Sequence, residues 1–553
     1  MIVYGDPTRQ QTVRTCVERV RADLGGNLDA LRDSLIAAGE LEQAVADGPG
    51  RDRPALLRQV ERVTDLVEAA FLGHGSAEEA YGALDDVGRE HGGMPLTIHV
   101  AEGFAFYTLY PEQYRDAAER WATDHGDERG KQVLVVGVRS IGTTLSAVVA
   151  GALQRLGWRV RRITVRPGGH PFQRELRIER AEIGKAQLGL VVDEGPGLSG
   201  SSMAAVARAM TAAGIDRGRI SFMPGHGNGP GPQASPDVRQ WWDQTRSYDV
   251  GLQEMRWEGR RLQDVLSART REACGGEVLH VEDWADVPIP AELPHFGAFA
   301  RTKFRCILSD GRAVAWKFMG LGGGAEAAAE RLSQLAATGW TEGPLGVAMG
   351  FVGVPWVDGK IVGPSEANDS FIAQVGRYIA AAAGQIMPAD EQQSAIQRLK
   401  EMAYWNVKET LGDEAAEVVK GCAAAETGPA SSYGDGRTGP GEWIRTPTGT
   451  FVKVNCVGHD VDHTTVGRQA VWWDMAGAIV EWGLDERQSG VLIRSAGFQV
   501  PVGVLRFCRM AYAAFRVAMC ATCEATADAG EGEKLRRAGA SYRDELKRAL
   551  TDR

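Results

Sequence analysis

The stretch "LGLVVDEGPGLSGSSMAAV" runs from Leu188 to Val206. Apolar residues lead into Asp193 and Glu194, a loop of glycine and serine follows, and a helix-like segment closes it. An apolar run bounded by turn residues reads as a buried strand. Acids at its exit then stand at the carboxyl edge of a sheet, where open α/β sheets bind ligands. Gly195, Gly197 and Gly200 let backbone N–H groups turn inward as an anion nest, and the following helix points its positive end there. N–H groups suit a phosphate, and paired carboxylates suit the hydroxyls of a neighbouring sugar.

The flanking pattern agrees. "KQVLVVGV", "WRVRRITV", "LGLVVD" and "RISFM" read as strands, "TTLSAVVAGALQRLG" and "GSSMAAVARAMTAAG" as helices, and "PLTIHV" as a further strand ahead of them. Such alternation predicts a mainly parallel sheet covered on both faces. Gly137–Thr144, "GVRSIGTT", has the glycine spacing of a P-loop, but Thr143 stands in place of its lysine, which argues against a triphosphate loop.

This region resembles the type I phosphoribosyltransferases, whose ribose-phosphate loop closes on Thr-Gly where this chain has Ser199-Gly200. The resemblance implies that Asp193 and Glu194 hold ribose hydroxyls as catalytic acids. It also implies that Arg139, Ser199, Gly200, Ser201, Ser202, Arg174 and Arg177 bind ribosyl phosphate, with Arg166 nearby. The loop between the acids and Ser199 is longer than is usual in that family.

The whole chain has 553 residues, too many for one core. Lys plus Arg is 62, Asp plus Glu is 72, and the net charge is -10, which argues against a bulk nucleic-acid binder. No apolar run reaches the roughly 18 residues of a membrane span, and the N-terminus lacks a signal core, so the reading is cytoplasmic. Cys520 and Cys523 form a lone CxxC inside an apolar helical pattern, which reads as reduced core cysteine.

Residues 1–90 show helical periodicity without visible chemistry and read as a cap or an element for homo-oligomer formation. Residues 91–230 form the parallel-sheet domain. The Gly/Pro-rich loop Pro224–Pro236 marks a boundary, and residues 231–290 read as a linker region. Residues 291–553 form a second pattern, strands first and then mostly helices. The expected class is multidomain, α/β followed by α+β.

In that second pattern "FRCILSDGRAVAWKFMGLGGG" reads as two strands joined at Ser309–Gly311, with Lys317 in the second. Glu326 and Glu330 lie four apart on the next helix. "SSYGDGRTGPGEWI", "GTFVKVNCVGHD" and "AVWWDMAGAIVEWGLD" follow. Their order resembles the bilobal kinase-like fold of aminoglycoside phosphotransferases. The resemblance implies that Lys317 binds ATP phosphates and pairs with Glu326 or Glu330. It makes Asp435 the catalytic acid, with Asp474 bracing its loop, and Asn455 the residue at the magnesium position, with Mg2+ as cofactor and ATP as co-substrate. Pro440 stands where that family has an asparagine, and Asn455 carries no charge. His459, Asp460, Asp462 and His463 crowd together and read either as a metal cluster or as a polar closing loop.

Two functions follow. One is a transferase-type enzyme, phosphoribosyltransferase in its first module and phosphotransferase in its second, acting on a phosphorylated sugar or nucleotide. The other is a non-catalytic sensor of such ligands with a pseudokinase-like domain.

Overall fold

The computed structural model describes residues 1–5, 7–283, 293–384, 386–422, 432–459, 463–464, 466–499 and 501–551. The chain is a mixed α/β protein that divides into two compact units. An N-proximal unit comprises Pro7–Ala268 with Gly320–Gly324, and a C-proximal unit comprises Met1–Asp6, Arg269–Met319 and Ala325–Arg553.

The N-proximal unit is built on a five-stranded parallel sheet. Its spatial order is Arg159–Val165, Gln132–Val138, Leu188–Val192, Ile220–Met223, Arg246–Ser247. Alternate residues of one strand serve two cores, as a period of two requires. Val133 and Val135 join one apolar cluster, while Leu134 and Val136 join another with Met203, Phe222 and Trp242. The strand order reverses between Gln132–Val138 and Leu188–Val192, so the crevice beyond their carboxyl ends is a topological switch point.

Three features differ from the sequence expectation. Pro95–His99 does not join the parallel sheet; it pairs antiparallel with Thr8–Thr12. Alternating strands look alike from sequence whichever partner they take. The helices Val13–Asp23, Leu28–Asp47, Pro54–Phe71 and Ala77–His91 share one core with the sheet, through Leu35, Val63 and Leu84 beside Val133 and Val148. The loop Pro224–Pro236 ends no domain, because Gly231 and Gln233 donate to the carbonyls of Gly197 and Leu198. Beyond it the helix Pro236–Gln244 buries Trp241 and Trp242, and Arg246–Ser247 adds the fifth strand. The division falls between Ala268 and Arg269, within the helix Leu262–Cys274.

The C-proximal unit opens with a five-stranded antiparallel sheet, ordered Val278–Asp283, Lys303–Leu308, Ala313–Phe318, Phe351–Pro355, Gly346–Ala348. Lys317 lies on its central strand, opposite Lys303 on one side and Val352 on the other. A three-stranded sheet of Lys360–Ile361, Trp443–Arg445 and Phe451–Lys453 follows, set among helices that include Asp369–Ala382, Val471–Glu481 and Val502–Glu524. The first residues of the chain pack here. Asn406 clasps Ile2 through its N–H at 2.6 Å and its carbonyl at 3.0 Å, and Tyr4 stacks on Phe299 and on His463. Cys520 and Cys523 are buried free thiols. No helix among the described residues is long and apolar enough to cross a membrane.

Candidate functional site

The C-proximal unit assembles a buried polar cluster around Asp435. Its loop is anchored from below by Asp474, in the first turn of Val471–Glu481. The Asp474 carboxylate accepts the N–H groups of Asp435 at 2.6 Å and Gly436 at 2.7 Å, and its carbonyl accepts the Thr438 hydroxyl at 2.9 Å. The loop reads Gly-Asp-Gly for a steric reason: a Cβ on Gly434 would lie 2.3 Å from Asp474 Oδ2. Burial, with the charge of Asp435 beside it, pushes the Asp474 carboxyl up to about 7 against those two N–H bonds.

Asp435 Oδ2 accepts the Tyr378 hydroxyl at 2.8 Å and lies 3.2 Å from Lys453 Nζ. Its Oδ1 lies 3.3 Å from His459 Nδ1. Lys453 is fully buried; Nζ also reaches Val454 O at 3.0 Å and Glu442 Oε2 at 3.4 Å. Burial opposes its charge, but Asp435 and Glu442 outweigh burial and hold the ammonium protonated. Burial likewise opposes ionisation of Glu442, yet Lys453 above all, with Arg437, keeps its carboxyl below the usual range. Asn455, at a backbone φ of 57°, donates to both Glu442 oxygens at 3.2 and 3.1 Å. Its carbonyl oxygen accepts from Lys317, which also donates to Val457 O at 3.2 Å. A continuous polar chain therefore runs from Lys317 through Asn455, Glu442 and Lys453 to Asp435.

Burial, then Lys303, Arg301 and Arg437, drive the Lys317 pKa well below that of a free lysine. Burial, then Arg437 and Lys317, do the same to His459 and keep it neutral. Lys303, Arg301 and Arg437 thus surround Lys317 with basic groups, and Glu442 opposes them. An anion entering there relieves their mutual repulsion, and a phosphate chain is the fitting class.

The structure places Lys317, Asp435 and Asn455 in one cluster but gives Lys317 the oxygens of Asn455 and Val457 as partners, not Glu326 or Glu330. Glu326 and Glu330 are exposed and form no ion pair among the described residues. The helix Gly324–Ala336 turns Ala325, Leu332 and Leu335 inward, which rotates both glutamates away. Lys453, Glu442 and Tyr378 were missed. The signal for Lys453 was a lysine inside the apolar run "FVKVN".

The donor set does not fit the divalent metal expected at Asn455. The Asn455 oxygen is taken by Lys317, and the Lys453 ammonium stands between the carboxylates of Asp435 and Glu442. Among the described residues no three His, Cys, Asp or Glu side chains converge as a metal site. Asp460 and Asp462 lie outside the described residues.

The N-proximal unit places Asp193 and Glu194 at the switch point. Burial and then the Glu194 charge push Asp193 up to about 8. Burial pushes Glu194 up to about 7, against a 2.7 Å bond from the Gly103 N–H. Tyr114 fixes the turn by donating to Asp193 O at 2.7 Å. Gly200 caps the helix Ser201–Ala213 in the left-handed region. The N–H groups of Gly197 and Leu198 have no partner among the described residues.

The basic and hydroxyl residues here are arranged differently from a ring around that nest. Ser199 and Ser201 donate to Pro171 O at 3.3 and 2.8 Å, tying the loop to the hairpin of Gly168–His170 and Gln173–Glu175. Arg139 and Arg166 both pair with Asp47, at the end of Leu28–Asp47. Arg174 donates to Gly169 O at 2.8 Å, and Arg177 is exposed beside Glu179. Ser202 lies half-buried in the first turn of its helix.

No protein-family model matches the chain, and no curated protein does. Among solved structures, it is similar to choline kinase LicA from Streptococcus pneumoniae, at 11% identity and a TM-score of 0.35 over 51% of this chain and 99% of that one. It is also similar to spectinomycin phosphotransferase APH(9)-Ia in complex with ADP and spectinomycin, at 8% identity and 0.36 over 52% and 97%. A third is macrolide 2'-phosphotransferase MphH from Brachybacterium faecium, at 14% and 0.34 over 50% and 97%. These likenesses are too loose to assign a role to any residue.

Proposed function

We propose that the C-proximal unit is a kinase-like phosphotransferase that binds ATP, and that the N-proximal unit binds a ribosyl phosphate in the manner of a phosphoribosyltransferase. The observation that carries the first part is the cluster itself: Lys317 among the basic groups Lys303, Arg301 and Arg437 at one end, and a braced, buried Asp435 at the other. The cations take the polyphosphate. An acceptor hydroxyl attacks the γ-phosphorus, the bond to the β,γ-bridging oxygen breaks, ADP leaves with that electron pair, and the hydroxyl proton passes to Asp435. Lys453 and Tyr378 hold the Asp435 carboxylate in place for that transfer.

For the N-proximal unit, the support is the switch-point position of Asp193 and Glu194, followed by Gly197 and Leu198, whose N–H groups have no partner among the described residues. The carboxylates take two ribose hydroxyls, and the nest takes the phosphate. One observation favours a second reading, a ligand sensor without turnover. Asp435 already faces Tyr378, Lys453 and His459, which limits its freedom as a proton acceptor.

Mass spectrometry of the intact chain incubated with phosphoribosyl diphosphate, ATP and a panel of hydroxyl acceptors separates the readings. A phosphorylated product with ADP supports transfer. Binding of both ligands by calorimetry with neither consumed supports the sensor, and binding of neither defeats both.

A further inference from the structure

The C-proximal cluster contains its own cation. Lys453 is fully buried, and its ammonium meets three oxygens: Val454 O at 3.0 Å, Asp435 Oδ2 at 3.2 Å and Glu442 Oε2 at 3.4 Å. The Tyr378 ring stands 5.4 Å away on another side. A divalent ion would seek this same set, two carboxylates from facing segments with a carbonyl between them. The backbone makes the substitution permanent. Lys453 is the register partner of Trp443, and Val454 N donates to Glu442 O at 2.8 Å, so the lysine is fixed against Glu442 by the hairpin itself. The Asn455 oxygen is held by Lys317. A metal ion added here would enter against the Lys453 ammonium already seated between the two carboxylates.

We propose that the Lys453 ammonium is the resident cation of this site, bridging Asp435 and Glu442 in place of a divalent metal, so that the cleft takes a polyphosphate without one. This rests on the nucleotide reading of the same cluster and concerns binding, not transfer.

The test uses the full chain. ATP is titrated calorimetrically in EDTA and in excess magnesium. The expected result is tight binding in EDTA, with magnesium giving no gain; a loss of about tenfold or more in EDTA overturns the proposal. In parallel, Mn2+ alone is titrated into the protein and into Glu442→Gln, with the free-ion paramagnetic signal as readout. No Mn2+ binding sensitive to Glu442→Gln is expected, and such binding overturns the proposal. Lys453→Met should create it, because two carboxylates lose their counter-ion; a folded Lys453→Met chain that takes no Mn2+ counts against the proposal. If ATP binds in neither buffer, the nucleotide reading falls while the Mn2+ measurements on the wild-type chain and Glu442→Gln still decide the cation.

Discussion

The carboxylate of Asp474 holds the backbone N–H of Asp435 at 2.6 Å, so one buried acid fixes the position of another. Replacing Asp474 by Asn leaves one acceptor oxygen for two N–H groups and turns an NH2 toward the other. The expected cost is about 1–3 kcal/mol. Urea denaturation should show the loss, and phosphoryl transfer should fall with it. An Asp474→Asn chain of unchanged stability would mean that the loop does not depend on this anchor.

Lys317 and Asp435 sit at opposite ends of one polar chain and should fail differently. Lys317→Ala should weaken ATP binding. Asp435→Asn should spare binding and slow transfer by about 10²-fold or more. Calorimetry and a product assay on the same preparations read both. Equal loss of binding in the two variants would contradict the division of labour.

The switch-point acids give the N-proximal unit a pH dependence of definite sign. Asp193 rises from 3.8 to about 8 and Glu194 from 4.5 to about 7 on folding. The folded state therefore holds extra protons between those limits, and ∂ΔG/∂pH is negative there. The stability these groups contribute is complete below their unfolded pKa values and is lost as pH rises through about 7 to 8. Denaturant midpoints at pH 5 and pH 8 should differ more in the wild-type chain than in Asp193→Asn/Glu194→Gln. Parallel slopes would refute the assignment.

Gly200 has a φ of 62°, and a Cβ there would lie 2.5 Å from Trp242 Nε1 and 2.8 Å from Pro230 Cβ. Gly200→Ala should cost about 1–2 kcal/mol from the backbone alone. It should also loosen the nest, seen as weaker ribosyl-phosphate binding by calorimetry. Unaltered binding would remove the nest from the site.

Much of this architecture was legible because buried strands announce themselves. "VLVVGV" and "LGLVV" admit few other structures, and the acids that follow the second fall where a parallel sheet must place them. Pairing was not legible. Arg246–Ser247 is two polar residues long, and nothing in its composition marks a strand. The ion pairs were the least visible part. Lys453 meets Asp435 and Glu442 because a hairpin and a braced loop converge, and a lysine in a short strand reads equally well as a solvated edge. Lys317 shows the same limit from the other side: its strand was evident, whereas its partner depended on which face the helix Gly324–Ala336 turned inward.

The clasp between Ile2 and Asn406 has a consequence for the order of synthesis. As the chain leaves the ribosome, Ile2 and Tyr4 emerge well before residues 299, 406 and 463 and must wait for them to find their places. Loops of that length close slowly, since contacts distant in sequence are gained only after the intervening chain is made. Pro7–Ala268, lying between, carries nearly all of its own unit and can settle during the wait. The unit that receives Ile2 and Tyr4 is thus completed after the one that Pro7–Ala268 builds.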